Sequence, residues 1–266
     1  MGYTGTKRAL PQRDSQVIAI INQKGGVGKS TTAVNLSAAL GESKKKVLII
    51  DFDPQGNATS GFGIEKESLH GDVYDALSGR CGLQDVILDT IEPTVFIAPS
   101  TISLAGAEIE LVTMEDRETV LKRLIAPVRD EFDYIFIDCP PSLGVLTLDA
   151  LVAADSLLIP IQCEFYALEG LTKLLESMKM VKSRLNPDLE IFGVLMTMFD
   201  ARTTLSKQVV DEVQTYFGKT VFKTVIPRNV KLSEAPSHGL PINHYSRMSR
   251  GALAYGKLAK EVVRRG

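Results

Sequence analysis

Short apolar runs, rich in β-branched residues, recur along the chain and alternate with amphipathic stretches. The runs lie at 17–21, 47–50, 95–98, 134–137, 157–161, 191–196 and 221–226. The amphipathic stretches lie at 115–130, 143–154, 168–185, 204–217 and 251–265. Near-continuous apolar runs are typical of strands that are buried on both faces, as in a parallel sheet. The alternation therefore predicts an α/β fold, with a single doubly wound, mostly parallel sheet that carries helices on both faces.

The composition is that of an ordinary globular protein and changes this picture little. Of 266 residues, 44% are hydrophobic and 23% are charged, and the formal net charge is −2. A balanced charge gives no general affinity for nucleic acid, so any DNA contact would need a local basic patch. We find no internal repeat, low-complexity tract or linker, which predicts a single domain over 17–266 after a mobile tail at 1–16.

The cysteines and the absence of a targeting signal bear on location. Cys81, Cys139 and Cys163 form no metal-ligand pattern, which favours a reducing compartment. Two of them, Cys139 and Cys163, lie in or beside apolar runs, where we expect buried and inert thiols. The N-terminal segment lacks the apolar core of a signal peptide, and no apolar run approaches transmembrane length. We therefore expect a cytoplasmic protein.

A glycine-rich segment with two lysines follows the first apolar run. It reads Lys24-Gly25-Gly26-Val27-Gly28-Lys29-Ser30-Thr31-Thr32 and precedes a predicted helix at 32–40. Between a strand and a helix, small residues let successive backbone N–H groups point at phosphate oxygens, and the helix N-terminus adds a favourable dipole. In this context Lys29 is predicted to reach the β- and γ-phosphates, and Ser30 is predicted to bind Mg²⁺.

The first lysine of this segment needs a separate explanation. Gln23 stands where a phosphate loop usually has its first glycine, and Lys24 follows it. A second cation in such a loop is unfavourable unless it meets an anion of its own, so we predict a function for Lys24. An ordinary glycine-rich turn is the alternative interpretation of the segment.

Acidic residues follow two of the predicted strands. The run 47–50 leads into Asp51-Phe52-Asp53-Pro54-Gln55-Gly56-Asn57, and 134–137 leads into Asp138-Cys139-Pro140-Pro141. Ligands of doubly wound sheets bind at the carboxyl ends of the strands, where these residues are expected. Asp138 is predicted to hold Mg²⁺ through its water shell, and one of Asp51 and Asp53 is predicted to orient the attacking water. A simple turn after each strand is the alternative, since Asp and Pro are common in turns.

These segments resemble a known family, the deviant Walker A ATPases, and within it the ParA/Soj partition branch. The resemblance begins with 24–32, 51–57 and 138–141 and continues through the C-terminal half. The further matching segments are 162–170 (QCEFYALEG), 197–203 (TMFDART), 226–230 (IPRNV) and 232–239 (LSEAPSHG). It covers nearly the whole chain from about residue 17. The resemblance implies a P-loop NTPase fold and a Mg²⁺-dependent ATPase that is weak alone and stimulated by a partner.

The resemblance also implies roles for individual residues. The family forms ATP-sandwich dimers, in which the residue matching Lys24 reaches the partner's nucleotide and Gly25 lies where the two loops meet. By the same resemblance Lys24, Lys29 and Asp53 are catalytic, and Asp53 positions the hydrolytic water. The expected ATP-binding residues are Lys24, Gly25, Gly26, Val27, Gly28, Lys29, Ser30, Thr31, Pro227 and Asn229, the last two for the adenine. Ser30 and Asp138 are the expected Mg²⁺-binding residues, Asp138 through water.

Partners follow from the same resemblance. In the family the ATP-bound homodimer binds double-stranded DNA nonspecifically, and a ParB/Spo0J-type partner stimulates hydrolysis and release during chromosome or plasmid segregation. We therefore expect a nucleoid-associated protein. The candidate DNA contacts are Arg202, Arg228, Lys231, Arg247 and Arg250. Any single one of them is as readily explained as a solvated or paired surface charge.

Three alternatives use similar nucleotide chemistry. A MinD-like positioning ATPase would need a basic amphipathic membrane anchor, whereas the small apolar residues of 259–266 predict a helix packed on the body, so we expect no membrane anchor. A reductase like the nitrogenase iron protein would need two converging thiolates per subunit, and Cys139 is not spaced for that role. A scaffold that binds ATP without turnover would have no need of both Lys24 and Asp53.

Overall fold

The computed structural model of the chain describes residues 15–112, 116–164 and 169–265. Within them, one sheet contains β1 (Gln16–Ile20), β2 (Val47–Asp51), β3 (Leu88–Asp89), β4 (Val95–Ala98), β5 (Tyr134–Asp138), β6 (Ser156–Gln162) and β7 (Glu190–Thr197). The order across the sheet is β3-β4-β2-β5-β1-β6-β7. β3 is antiparallel to β4, and the other neighbouring pairs are parallel. The predicted α/β fold is confirmed.

Helices connect most of these strands. They are α1 (Lys29–Glu42), α2 (Asn57–Gly61), α3 (Val73–Leu77), α4 (Leu104–Val112), α5 (Val120–Ile125), α6 (Val145–Ala153), α7 (Glu169–Arg184), α8 (Thr204–Phe217), α9 (Val230–Glu234), α10 (Ile242–Tyr245) and α11 (Arg250–Arg265). Short 3₁₀ turns lie between several of them. No helix in the described ranges is both long enough and apolar enough to cross a membrane.

The sheet separates two apolar cores. In β1, Val17 and Ala19 belong to the core on one face, and Ile18 and Ile20 belong to the core on the other. Successive side chains of a strand point to opposite faces, which explains why every position of β1 is apolar except the first. Residues of α4, α6 and α7 pack into the first core, and residues of α1 and α11 pack into the second. Helices therefore cover both faces of the sheet, as the doubly wound prediction requires.

The sheet begins slightly before the predicted boundary at residue 17. Gln16 is the first residue of β1, and its N–H donates to the carbonyl of Asp133 at 3.1 Å. Ser15 is buried, and its carbonyl accepts a hydrogen bond from Arg129 at 3.0 Å. Residues 1–14, which make up most of the predicted tail, lie outside the described residues.

The prediction of a strand at 221–226 was wrong. The segment lies beside β7 and makes one isolated bridge there, between Val194 and Val221. Further along the segment, the N–H groups of Lys223 and Thr224 donate instead to the carboxylate of Glu261 on α11, at 2.8 and 3.1 Å. Phe222 and Ile226 still donate to the carbonyls of Val194 and Met196 on β7, at 2.9 Å each. The N–H of Thr224 between them is taken by Glu261, so the ladder is interrupted and the run is a loop.

The stretch 115–130 is not one helix, as the amphipathic pattern predicted. Its described part contains α5 between two 3₁₀ turns, Arg117–Thr119 and Arg129–Glu131. The N–H of Leu121 donates to both carboxylate oxygens of the buried Asp149 on α6, at 3.2 Å each. A carboxylate at this point satisfies a free N–H group of the first helical turn and so favours a helix start near residue 120.

Candidate active site

The glycine-rich segment forms the turn between β1 and α1. Gly28 precedes the helix with φ at 93°, in the left-handed region where a side chain would be strained, and its carbonyl accepts the N–H of Thr32 at 2.9 Å. A Cβ at Gly25, by contrast, would meet no atom of the described residues outside its chain neighbours within 4 Å. Gly28 is therefore required by the turn itself, whereas nothing within the described part of the protomer requires a glycine at position 25.

Lys29 lies under this turn and close to two acidic side chains. It is buried, and its ammonium donates to the carbonyl of Lys24 at 3.2 Å. Burial lowers the pKa of Lys29 below its usual value, and the charges of Asp138 and Asp53 oppose that change. The side chain thus lies between the loop and the strand ends, where a phosphate would complete its coordination.

The two strand-end carboxylates, Asp51 and Asp138, are register partners on adjacent strands but have different surroundings. Asp51 is satisfied, because its Oδ2 accepts both the N–H and the hydroxyl of Thr59 at 2.7 Å. Neither oxygen of Asp138 has a hydrogen bond of normal geometry within the described residues, although the side chain is fully buried. Burial raises the pKa of Asp138 well above its usual value, the charge of Asp51 adds to this, and the nearby Ser30 hydroxyl opposes it.

A buried carboxylate without a hydrogen-bond partner is expected where a protein binds a cation. A divalent ion prefers oxygen ligands, and Ser30 and Asp138 supply a hydroxyl and a carboxylate beside each other. The residues present therefore fit Mg²⁺ with part of its water shell. Asp51 does not fit that role, because its hydrogen bonds hold α2 against the end of β2.

Asp53 lies just beyond β2, in the loop that leads to α2. It is buried, its Oδ1 accepts the N–H of Gln55 at 2.9 Å, and its carbonyl accepts the hydroxyl of Ser100 at 2.9 Å. One cavity is lined by Asp53 together with residues of the glycine-rich turn: Gly25, Gly26, Gly28, Lys29, Ser30 and Thr31. The carboxylate is thus held at the wall of a cavity that is large enough to admit phosphate groups and water.

Lys24 has the anionic partner that the sequence led us to expect, but the partner lies in the same chain. Its ammonium contacts Oε1 of Glu164, which follows β6. Its N–H donates to Oδ1 of Asn22 at 3.0 Å, which fixes the backbone at the start of the loop. The side chains of Lys24 and Glu164 are 40% and 34% exposed, so solvent screens this ion pair.

A second cavity adjoins the first through Gly28 and Thr31. It is lined by Pro227 and Asn229, the predicted adenine contacts, and also by Thr197, Met198, Leu232 and Tyr255. The Oδ1 atom of Asn229 accepts the N–H of Lys231 at 2.8 Å and caps α9, so its amide NH₂ is left for other contacts. The structure thus brings the two predicted residues to the glycine-rich turn, although about 200 residues separate them in sequence.

Two further residues of this second cavity were not predicted as site residues. Thr197 ends β7, and its hydroxyl donates to the carbonyl of Val27 at 2.8 Å, which ties the turn to the sheet. Met198 follows with φ at 52°, a conformation that is uncommon for a residue other than glycine. The sequence signal for both was their position directly after an apolar strand.

Known proteins are similar to this chain. A family model described as an AAA domain matches residues 15–191. The chain is 57% identical to the sporulation initiation inhibitor protein Soj of Bacillus subtilis, over 94% of this chain and 99% of that protein. It is 52% identical to the chromosome-partitioning ATPase Soj of Treponema pallidum, over 94% of this chain and 98% of that one. The chain belongs to the Soj/ParA family.

A solved structure bears on the cofactors of this Soj/ParA-family chain. The crystal structure of cobyrinic acid a,c-diamide synthase from Mycobacterium smegmatis, with bound ATP analogue and magnesium, is of a protein that is 38% identical in sequence to this chain. Its TM-score is 0.83, and the match covers 94% of this chain and 95% of that one. Its ligands agree with the ATP and Mg²⁺ that the sequence predicts.

The five predicted DNA contacts of the Soj/ParA-family chain differ in whether they form an ion pair with an acidic side chain. Arg202 makes a two-pronged contact with Asp200, at 2.9 and 2.7 Å, which holds the pKa of that carboxyl below its usual range. Lys231 is 2.8 Å from Glu234, and Arg247 is 3.8 Å from Glu42. Arg228 and Arg250 make no ion pair within the described part of the chain.

Proposed function

We propose that this chain is an ATP-dependent DNA-partitioning protein. In this proposal the ATP-bound homodimer binds DNA nonspecifically, and a ParB/Spo0J-type partner stimulates hydrolysis and so releases the DNA. The identity to Soj proteins supports the partitioning role. The ATPase part rests on one observation: Lys29, Asp53 and the unpartnered carboxylate of Asp138 lie together beside the glycine-rich turn.

The two joined cavities suit the parts of an ATP molecule. The N–H groups of the turn and Lys29 would bind the phosphates, and the cavity of Pro227 and Asn229 would bind the adenine. Ser30 and Asp138 would hold Mg²⁺, which would neutralise charge on the phosphates. Asp53 would orient the attacking water from the cavity wall. Phosphoryl transfer depends mainly on positioning and charge neutralisation, so a slow enzyme that a partner accelerates is physically reasonable.

Dimerisation would explain why position 25 is a glycine and would give Lys24 an anion other than Glu164. Open space around Gly25 allows a second copy of the turn to approach closely, which a side chain would prevent. Lys24 would then exchange Glu164 for a phosphate of the partner's nucleotide. An exposed ion pair contributes only about 0–1 kcal/mol, so this exchange costs little.

The proposed DNA binding depends on dimerisation as well. With a formal net charge of −2, one protomer has no general attraction for a polyanion. Two copies of a local basic surface on one dimer would double the phosphates that are neutralised, and the affinity for DNA rises steeply with that number.

Phosphate release from ATP with Mg²⁺ tests this function, measured with and without duplex DNA. We expect slow turnover by the unchanged protein, turnover lower by about 100-fold or more in Asp53→Ala, and retained ATP binding in that variant. Lys29→Ala serves as the binding control and should lose ATP binding itself. Turnover by Asp53→Ala at the unchanged rate would contradict the role of that carboxylate. ATP binding without any turnover by the unchanged protein would instead support a scaffold.

A further inference from the structure

The last helix, α11, carries a row of basic side chains, of which only Arg250 is among the predicted DNA contacts. The row consists of Arg250, Lys257, Lys260 and Arg264, all exposed, and is called the α11 stripe here. At 100° per residue these four positions fall within an arc of about 80° on the helix surface. The opposite side of α11, which includes Tyr255 and Leu258, is buried against the core. The stripe therefore points outward from a helix whose orientation is fixed by packing.

The cations of the α11 stripe are free of acidic partners. None of the four forms an ion pair with an acid among residues 15–112, 116–164 and 169–265, and Arg264 donates only to the carbonyl of Lys260, at 2.9 Å. The acid of the same helix, Glu261, is already occupied by the N–H groups of Lys223 and Thr224 and by Arg265. The exposed side chain of Lys223 lines one groove with Lys257, Lys260 and Arg264 and adds a fifth cation.

We infer that the α11 stripe, with Lys223 beside it, is a principal surface for contact with the phosphate backbone of duplex DNA; this rests on the proposed function. Unpaired cations can neutralise phosphates and release counterions, whereas the charges of Arg202, Lys231 and Arg247 are offset by the carboxylates beside them. From Arg250 to Arg264 the stripe spans 15 residues of helix, or about 21 Å, which matches roughly six base pairs of duplex.

The composition of the stripe fits binding that ignores sequence. Within its arc, the only described residue that is not basic is Leu253, which is 51% exposed. No asparagine or glutamine, the residues that read adenine, is present there. Contacts to phosphate position a protein on DNA but carry no sequence information.

The stripe is also connected to the nucleotide site. α11 packs along α1, and the hydroxyl of Tyr255 lies 3.2 Å from that of Thr32, which directly follows Thr31 of the glycine-rich turn. The position of the stripe is thus fixed relative to the turn, so a dimer formed around ATP would hold two stripes in a defined geometry.

Three substitutions together test the stripe: Lys257→Gln, Lys260→Gln and Arg264→Gln in the full chain. A matched control removes the same charges from the end of another helix, with Lys179→Gln, Lys182→Gln and Arg184→Gln on α7, all exposed. Each protein is titrated on a fluorescent duplex of random sequence with Mg²⁺ and a non-hydrolysable ATP analogue, over a series of salt concentrations. Binding of the analogue and the urea-unfolding midpoint are measured on the same samples.

We expect the stripe variant to bind the duplex about 100-fold more weakly at 0.1 M salt than the control. Its plot of log affinity against log salt should be shallower by about 0.9 for each phosphate that the variant no longer neutralises. Equal DNA binding by both variants would overturn the stripe and leave the proposed function intact. No DNA binding by the unchanged protein in any nucleotide state would overturn the proposed function itself. Loss of binding to anionic phosphatidylglycerol vesicles, with DNA binding retained, would identify the stripe as a membrane surface instead.

Discussion

Replacing Asp138 with asparagine should stabilise the protein and abolish its response to Mg²⁺. The native carboxylate is buried, has no hydrogen-bond partner of normal geometry within the described residues, and has a pKa that burial and Asp51 raise. A pKa that is higher in the folded state means that the native protein holds the proton more tightly. Stability is therefore greatest below the unfolded value and falls as the pH rises through the folded one. Asparagine is neutral at every pH and avoids this loss.

The size of the effect follows from the cost of an unsatisfied buried group. Such a group costs about 1–3 kcal/mol, and more when it is charged. Without nucleotide, Asp138→Asn should therefore raise the free energy of unfolding by about 1–3 kcal/mol at pH 8 and by less at pH 5. Asp51→Asn is the matched control at pH 5, because Asp51 accepts two hydrogen bonds from Thr59 and an amide NH₂ would leave a donor there unpaired. Burial raises the pKa of Asp51 to about 6, so removing its charge would act in the opposite direction at pH 8. At pH 5 that variant should lose stability.

Urea unfolding, followed by circular dichroism at both pH values, measures these differences. A ligand at 100 times its dissociation constant stabilises the native state by about 2.7 kcal/mol. The unchanged protein should show such stabilisation by an ATP analogue with Mg²⁺ and much less with a chelator, whereas Asp138→Asn should show no difference between the two. The reasoning is refuted if Asp138→Asn is less stable than the unchanged protein at pH 8, or if it keeps the full response to Mg²⁺.

Three further predictions follow from individual contacts. Gly25→Val should bind ATP but fail to dimerise, because a branched side chain cannot lie between facing turns; light scattering that finds a normal ATP-dependent dimer would contradict this. Burial raises the pKa of Asp149 to about 7, so the contribution of this carboxylate to stability should fall by about 3 kcal/mol between pH 5 and pH 8. In urea titrations, Asp149→Asn should lose this part of the pH dependence of stability. Glu164→Gln frees Lys24 and should let the ATP-bound dimer form at several-fold lower protein concentration by light scattering, whereas the exposed Glu190→Gln should change nothing. Dimerisation that is unchanged or weaker in Glu164→Gln would count against the exchange of partners by Lys24.

Features that depend on neighbouring residues were predictable from the sequence. The buried strands were visible because strands covered on both faces are apolar at every position, and the phosphate turn was visible because its residues are contiguous. Asp138 was assigned from its place after a strand, and the structure adds that its oxygens lack partners among the described residues. The resemblance to a known family supplied predictions that the pattern alone did not, in particular the adenine contacts expected of Pro227 and Asn229.

Features that depend on distant residues were not predictable in this way. The apolar run at 221–226 pairs only partly with β7, because Glu261, far along the chain, takes the N–H of Thr224 between two groups that donate to that strand. The start of α5 depends on Asp149 in the same manner. The pairing of Lys24 with Glu164 and the exposed face of α11 likewise arise only when the folded chain brings separate segments together.

Nucleotide-dependent DNA binding is the central claim, and the anisotropy of a labelled duplex tests it most directly. The unchanged protein is titrated without nucleotide, with ADP, and with Mg²⁺ and a non-hydrolysable ATP analogue, over a salt series and on two unrelated duplexes. We expect tight binding in the ATP-bound form alone, with the steepest salt dependence there and equal affinity for both duplexes. Equal affinity with and without the ATP analogue, or a strong preference for one duplex, would contradict the account.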